Sequence, residues 1–151
     1  MDDIVFVGMD LGTFKTSVAC SNGLRETLPT AVGWPKDHIA REVLGRDVVF
    51  GQDLVEHRLA LEVVRPFEKG VLKYNDLGTI GVATDQTDRY LSAARLVVEH
   101  AVSLVRPEQG SIYGVIGAPS RAGVLNKQFL LEIAQAAFDV VAIVPEPFVV
   151  A

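Results

Sequence analysis

The sequence has little of what usually assigns a chemistry. Cys20 is its one cysteine, so no internal disulfide is possible, which suits a reducing compartment. Set in an apolar run, Cys20 reads as a small residue on a buried strand. There is no basic run and the net charge is −5, which argues against nucleic acid as the main partner. No apolar stretch reaches about 18 residues without a charge or a break, so no transmembrane helix and no direct membrane insertion are expected. The chain opens on two aspartates rather than a basic segment, which argues against a secretory signal. A Walker A pattern is missing, which excludes a P-loop NTPase. No G-x-S-x-G surrounds Ser120, which reads as a helix N-cap. His38, His57 and His100 are far apart, with no cysteine or paired carboxylates at ligand spacing, and read as surface histidines. Repeats and low-complexity tracts are also lacking.

What is present is a 151-residue chain with 49% hydrophobic residues, enough for one domain with a real core. Its most informative stretch runs from Ile4 to Cys20. A short apolar run turns through Asp10-Leu11-Gly12-Thr13 and leaves on a second apolar run, the pattern of a β-hairpin. Gly12 lets backbone approach a ligand closely, and the N–H groups of such a turn suit anionic oxygens. Thr13 and Thr16 add hydroxyls, and Lys15 adds a cation. A carboxylate such as Asp10 fits a phosphate site when hydrated Mg²⁺ lies between them. The turn therefore reads as a phosphate-and-Mg²⁺ loop or as an ordinary hairpin turn, and Lys15 as a phosphate ligand or a solvated lysine; the residues alone leave both pairs open.

Asn22-Gly23 is a turn pair, after which Arg25 to Trp34 reads as a third strand with Pro29 at an edge or bend. From Pro35 to about Phe67 the texture changes to charge-rich, with a short strand at Val48-Val49-Phe50 and a short helix over about Asp53–Leu61 on which Val55 and Leu59 share a face. This is an insertion or small subdomain over 35–67, and the main body comprises 1–34 and 68–151. A helix over about Thr87–Val105 follows, with Leu91, Ala94, Val98, Ala101, Val102 and Val105 on one stripe. Ser111–Gly117 reads as a buried strand, Gly123–Phe138 as a helix with Leu125, Phe129, Ile133 and Ala137 inward, and Val140–Val144 as a last strand.

The order β-β-β, insertion, α, β, α, β is that of an α/β mixed sheet, an antiparallel hairpin joined to parallel later strands. Ligands in such sheets sit at the carboxyl ends of strands, which here carry Asp10, Ala118-Pro119 and Glu146. Glu146, between Pro145 and Pro147, reads as a carboxylate that orients an attacking water or as a surface residue at a strand–helix junction.

Together these residues resemble the actin, sugar kinase and Hsp70 superfamily. Asp10-Leu11-Gly12-Thr13 is similar to its first phosphate motif and Glu146-Pro147 to its first connecting motif. The element order matches the superfamily's ribonuclease H-like fold. Arg65-Pro66-Phe67-Glu68-Lys69-Gly70-Val71-Leu72 resembles the bacterial actins. Ala31-Val32-Gly33-Trp34-Pro35-Lys36-Asp37-His38-Ile39, Leu44-Gly45-Arg46 and Pro145-Glu146-Pro147-Phe148 resemble those that form magnetosome filaments.

The resemblance implies the first domain of an actin-like ATPase with a small outer subdomain. It implies ATP and Mg²⁺ as cofactors, held by Asp10 (Mg²⁺ through water), Gly12, Thr13, Phe14 and Lys15, with Glu146 positioning the water that attacks ATP. It further implies a cytoplasmic filament beside magnetosomes, with copies of itself and magnetosome-associated proteins as partners. Phe14-Lys15 is bulkier than the pair usual in this loop, and Pro145 stands where many relatives have a more flexible residue. The sequence stops at Ala151, before the family's second phosphate motif, adenine-binding segment and second domain, so a fragment or truncated copy, inactive by itself, is expected. A non-catalytic paralogue that binds filaments or partners, a cell-shape actin and a small-molecule kinase of the same superfamily are the alternatives.

Overall fold

The computed structural model describes residues 3–68, 71–72, 85–118 and 124–145. Its centre is a five-stranded sheet in the order β3-β2-β1-β8-β9. Strands β1 (Ile4–Leu11), β2 (Lys15–Cys20) and β3 (Arg25–Pro29) form an antiparallel meander. Strands β8 (Ser111–Ala118) and β9 (Val140–Pro145) extend it in parallel from β1. The mixed sheet, an antiparallel meander joined to parallel later strands, is the one expected from the sequence.

Alternation sets the faces. Val7, Met9 and Leu11 of β1, Val18 and Cys20 of β2, and Ile112 and Ile116 of β8 point to one side and are buried. Helix α3 (Asp85–Val105) covers that side with Ala94, Val98, Ala101, Val102 and Val105 of the expected stripe, all buried, and with Leu91, which is half-buried. Helix α4 (Val124–Gln135) adds Leu130 and Ile133 and ends earlier than expected. Phe138 lies beyond it, against β8, where a Cβ on Gly114 would sit 2.4 Å from the Phe138 ring. Only glycine at 114 lets the Phe138 ring lie that close to the strand. Asn22, in the turn after β2, donates to the Val105 carbonyl at 2.9 Å and so satisfies an orphan acceptor at the end of α3.

The expected third strand is two strands. β3 stops at Pro29, and Thr30 is buried with its hydroxyl 2.7 Å from that of Thr16. After this anchor the chain leaves the main sheet as β4 (Val32–Pro35), which pairs antiparallel with β5 (Leu61–Val64). Between them lies a helix that periodicity did not reveal, α1 (His38–Leu44). Its signals are local: the Asp37 side chain caps the Ala40 N–H at 2.7 Å, and Gly45 closes the helix at φ 64°. The strand expected at 48–50 is a single bridge, Val49 to Gly33. The helix expected over 53–61 is one turn, α2 (Asp53–Glu56), then a 3-10 turn at Arg58–Ala60 and the start of β5. Val55 and Leu59, expected to share an apolar face, are 69% and 81% exposed. The buried pair is Leu54 and Leu61, packed over Gly33 with Ala31 and Val49.

This outer piece is docked on the main body. Val32, Val64 and Phe67 join the main core. On α3, Arg89 lies 5.3 Å from the Trp34 ring and bonds Glu62 at 2.7 Å, and His100 stacks on Phe50 at 4.1 Å. The segment expected to turn back to the main body forms a short antiparallel pair, β6 (Phe67–Glu68) with β7 (Val71–Leu72). The expected Ser120 cap and side chains of Thr87, Asp88 and Leu125 lie outside what is described.

Candidate functional site

Three parallel strands bring their carboxyl ends to one edge of the sheet. Asp10 of β1 is opposite Gly117 of β8, and Ala118 is opposite Pro145 at the end of β9. Strands β1 and β9 are two spacings apart, about 10 Å. Glu146 follows Pro145 directly in sequence but lies outside the described residues, as do Pro119 and Pro147.

Asp10 is exposed on the sheet face opposite the core. Its neighbours there are Gly8 two positions earlier, Ser17 across β2 and Gly117 across β8. All three are small, and a Cβ built on Gly8 meets nothing within 4 Å. The carboxylate therefore stands beside open space at Gly8, with room there for an oxygen-rich ligand or a hydrated cation, while Gly117 on its other side is buried.

Beyond Asp10 the chain reverses tightly. The Gly12 N–H donates to the Lys15 carbonyl at 3.2 Å, and a Cβ at Gly12 would lie 2.5 Å from that same oxygen. Since the obstacle is backbone, any side chain at position 12 forces the turn open. The Phe14 carbonyl accepts the Thr30 N–H at 2.9 Å, tying the turn to the end of β3. Lys15 is exposed and, two residues before Ser17, shares the face of Asp10. Thr13 is half-buried in the turn, and Phe14 projects with its side chain 72% exposed. Asp10, Gly12, Thr13, Phe14 and Lys15 thus come together in one turn. Thr16, expected to add a hydroxyl there, does not: it faces the core and bonds Thr30.

Two features escaped the sequence reading. The small floor was written as Gly8, two residues before Asp10, and Gly117, at the end of a strand. The other is Arg65, whose guanidinium carbon lies 6.0 Å from the Phe14 ring centre. Its signal was a charged residue wedged between buried Val64 and Pro66-Phe67.

Among the described residues, one group offers metal-ligand spacing: Asp53, Glu56 and His57, with ligand atoms within 4.8 Å of one another. His57 therefore has carboxylate neighbours that the sequence reading did not foresee. The group sits in the outer piece, and Asp53 is already bonded to Arg46 at 2.8 Å, which holds its carboxyl below the ordinary range.

No family model matches the sequence. The "Actin-like protein MamK" of Paramagnetospirillum magneticum (strain ATCC 700264 / AMB-1) is 37% identical over 147 residues, 97% of this chain and 39% of the relative. A solved structure described as "MamK double helical filament" superposes with a TM-score of 0.81 at 36% identity, covering 97% of this chain and 42% of that one. A second, "MamK non-polymerising A278D mutant bound to AMPPNP", gives 0.80 at 36% identity, covering 98% of this chain and 42% of that one. The chain spans about two fifths of the length of the curated relative.

Proposed function

Because the chain belongs to the bacterial actin-like family, we propose that it holds the phosphates of ATP at the turn from Asp10 to Lys15, as part of a filament-forming protein of the magnetosome type. The observation that carries this reading is Asp10 standing over Gly8, Ser17 and Gly117 beside the tight Gly12 turn. The floor and donor set fit a phosphate with hydrated magnesium. Magnesium, when bound, offsets the negative charge of the phosphates. Asp10 would hold it through water, Gly12, Thr13 and Phe14 would present backbone at close range, and Lys15 would add a positive charge. Glu146 would position the water that attacks the terminal phosphate, giving ADP and phosphate. The AMPPNP-bound relative supports nucleotide as the ligand, and the relative solved as a filament supports copies of the chain as partners. Magnetosome-associated proteins and a cytoplasmic filament beside magnetosomes complete the proposal.

The alternative is a non-catalytic module that binds filaments or partners. One experiment separates the two. This chain is substituted for the matching segment of the relative, and nucleotide affinity, phosphate release and filament formation are measured. The ATPase reading predicts nucleotide-dependent filaments. Asp10→Ala should weaken nucleotide binding and, with it, assembly. Glu146→Ala should leave binding intact and slow phosphate release by about 10²-fold. A folded chimera that assembles without hydrolysing ATP supports the module reading instead. One in which Asp10→Ala changes nothing overturns the phosphate turn.

A further inference from the structure

Arg65 stands where a second anion contact is needed. Its guanidinium carbon is 6.0 Å from the ring centre of Phe14, the exposed tip of the Asp10–Lys15 turn. Its backbone is fixed from both sides, by Val64 in β5 and by Phe67, which are 8% and 2% exposed, with buried Pro66 between. The side chain is exposed nonetheless. Among the described residues Arg41, Arg46 and Arg89 are each ion-paired, and Arg65 has no carboxylate partner. At 6.0 Å from the Phe14 ring centre the guanidinium is within cation–π reach of the ring, and its N–H donors, which no carboxylate takes up, form a fork that matches two phosphate oxygens. Such a charge, held by a fixed backbone beside a turn of backbone amides, is placed to read how many phosphates the turn holds.

We propose that Arg65 is a phosphate-reading residue: seated against Phe14, it donates to the terminal phosphate of a nucleoside triphosphate held at the Asp10–Lys15 turn. The proposal rests on the phosphate reading of that turn. It also links the turn to the outer piece, because Arg65 directly follows β5 of the small sheet. A phosphate that draws the guanidinium acts on Val64 and hence on that sheet.

The test is titration of the full chain with ATP·Mg²⁺ and ADP·Mg²⁺, followed by phosphorus NMR, which reads weak binding directly. Arg65→Ala should weaken ATP binding by about tenfold, the scale of a charge-assisted bidentate contact, and leave ADP binding unchanged. Arg65→Lys, which keeps the charge and loses the fork, should fall between. Phe14→Leu, which removes the ring, should weaken ATP in the same sense by less. The thermal midpoint of the Arg65 variants should not move, since the side chain is exposed. If Arg65→Ala weakens ATP and ADP equally, or neither, while Asp10→Ala abolishes both, Arg65 does not read the phosphate and the turn still holds it. If the unsubstituted chain binds neither nucleotide, the turn reading falls and Arg65 with it. Arg65→Gln, of similar length without charge, provides the same comparison should the alanine variant fold poorly.

Discussion

The main sheet and the outer piece reach order by different means. In the main sheet, long strands alternate and one helix 21 residues long lays a continuous apolar stripe across them, so Met9, Ile116, Val98 and Ile133 are fully enclosed. In the outer piece, four residues, Ala31, Val49, Leu54 and Leu61, make a separate small core, while Ile39, Val43, Val55 and Leu59 remain exposed. What the second region lacks in burial it replaces with local devices: the Asp37 cap, the left-handed Gly45 and the Arg46–Asp53 and Arg41–Asp47 pairs. Exposed ion pairs contribute little each, so the outer piece depends on Val32, Val64 and Phe67, which enter the main core, and on the stacking of Phe50 on His100 of α3. The site thus rests on the sheet with the continuous core, and the piece beside it has only a four-residue core of its own.

That contrast can be broken at several points. The largest effect is expected from Ile116→Ala in the main core, a loss of about 3–5 kcal/mol with a single cooperative transition, read by urea unfolding. Leu54→Ala, in the small core, should cost about 2 kcal/mol, because a cluster of four residues collapses more readily around a cavity. Hydrogen exchange should show the loss at β4 and β5 and leave β1 and β8 protected. If Leu54→Ala lowers protection equally in both sheets, the two regions are one cooperative unit and the contrast is wrong.

Asp37→Ala should cost about 1 kcal/mol, the usual worth of an N-cap, seen as faster exchange in α1 alone. The smallest effect concerns pH. Burial against Phe50 pulls the His100 imidazole below its ordinary value of 6.5. Above that value neither folded nor unfolded chain holds the proton, and the stacking on Phe50 keeps its full stability. As pH falls through the lowered folded value the unfolded chain takes the proton first, and stability is lost. Urea midpoints at pH 7.5 and pH 5.5 should therefore differ less in His100→Phe, which keeps the ring and removes the titration, than in the unsubstituted chain.

The same contrast explains what was legible in the sequence. Strands β1, β2 and β8 and helix α3 announced themselves because each buries one face, and burial writes a period into the chain, whereas β9 showed as a short apolar run that is half-buried at Val141, Ile143 and Val144. Their order sufficed for the mixed sheet and for the convergence of Asp10 with the ends of β8 and β9. The break after Pro29 was hidden because it depends on a buried pair distant in sequence, Thr16 with Thr30. Helix α1 was hidden because it buries little beyond Ala40 and Leu44, so its caps carried more information than its apolar residues. Val55 and Leu59 misled because helical spacing alone does not say which side meets a core. At the site, Asp10 and Gly12 were readable from their turn. Thr16 was misassigned because alternation sends it inward. Arg65 was invisible because its significance lies in its approach to Phe14, 51 positions away in sequence.

The central claim is that the turn on the main sheet, and not the acidic group of the outer piece, receives nucleotide. Amide NMR of the chain during titration with ATP·Mg²⁺ tests it most directly. Shifts should concentrate at Asp10 to Lys15 and at Gly117, require Mg²⁺, and disappear in Asp10→Ala with the rest of the spectrum unchanged. Shifts centred on Asp53, Glu56 and His57, or shifts at the turn that survive Asp10→Ala, would contradict the account.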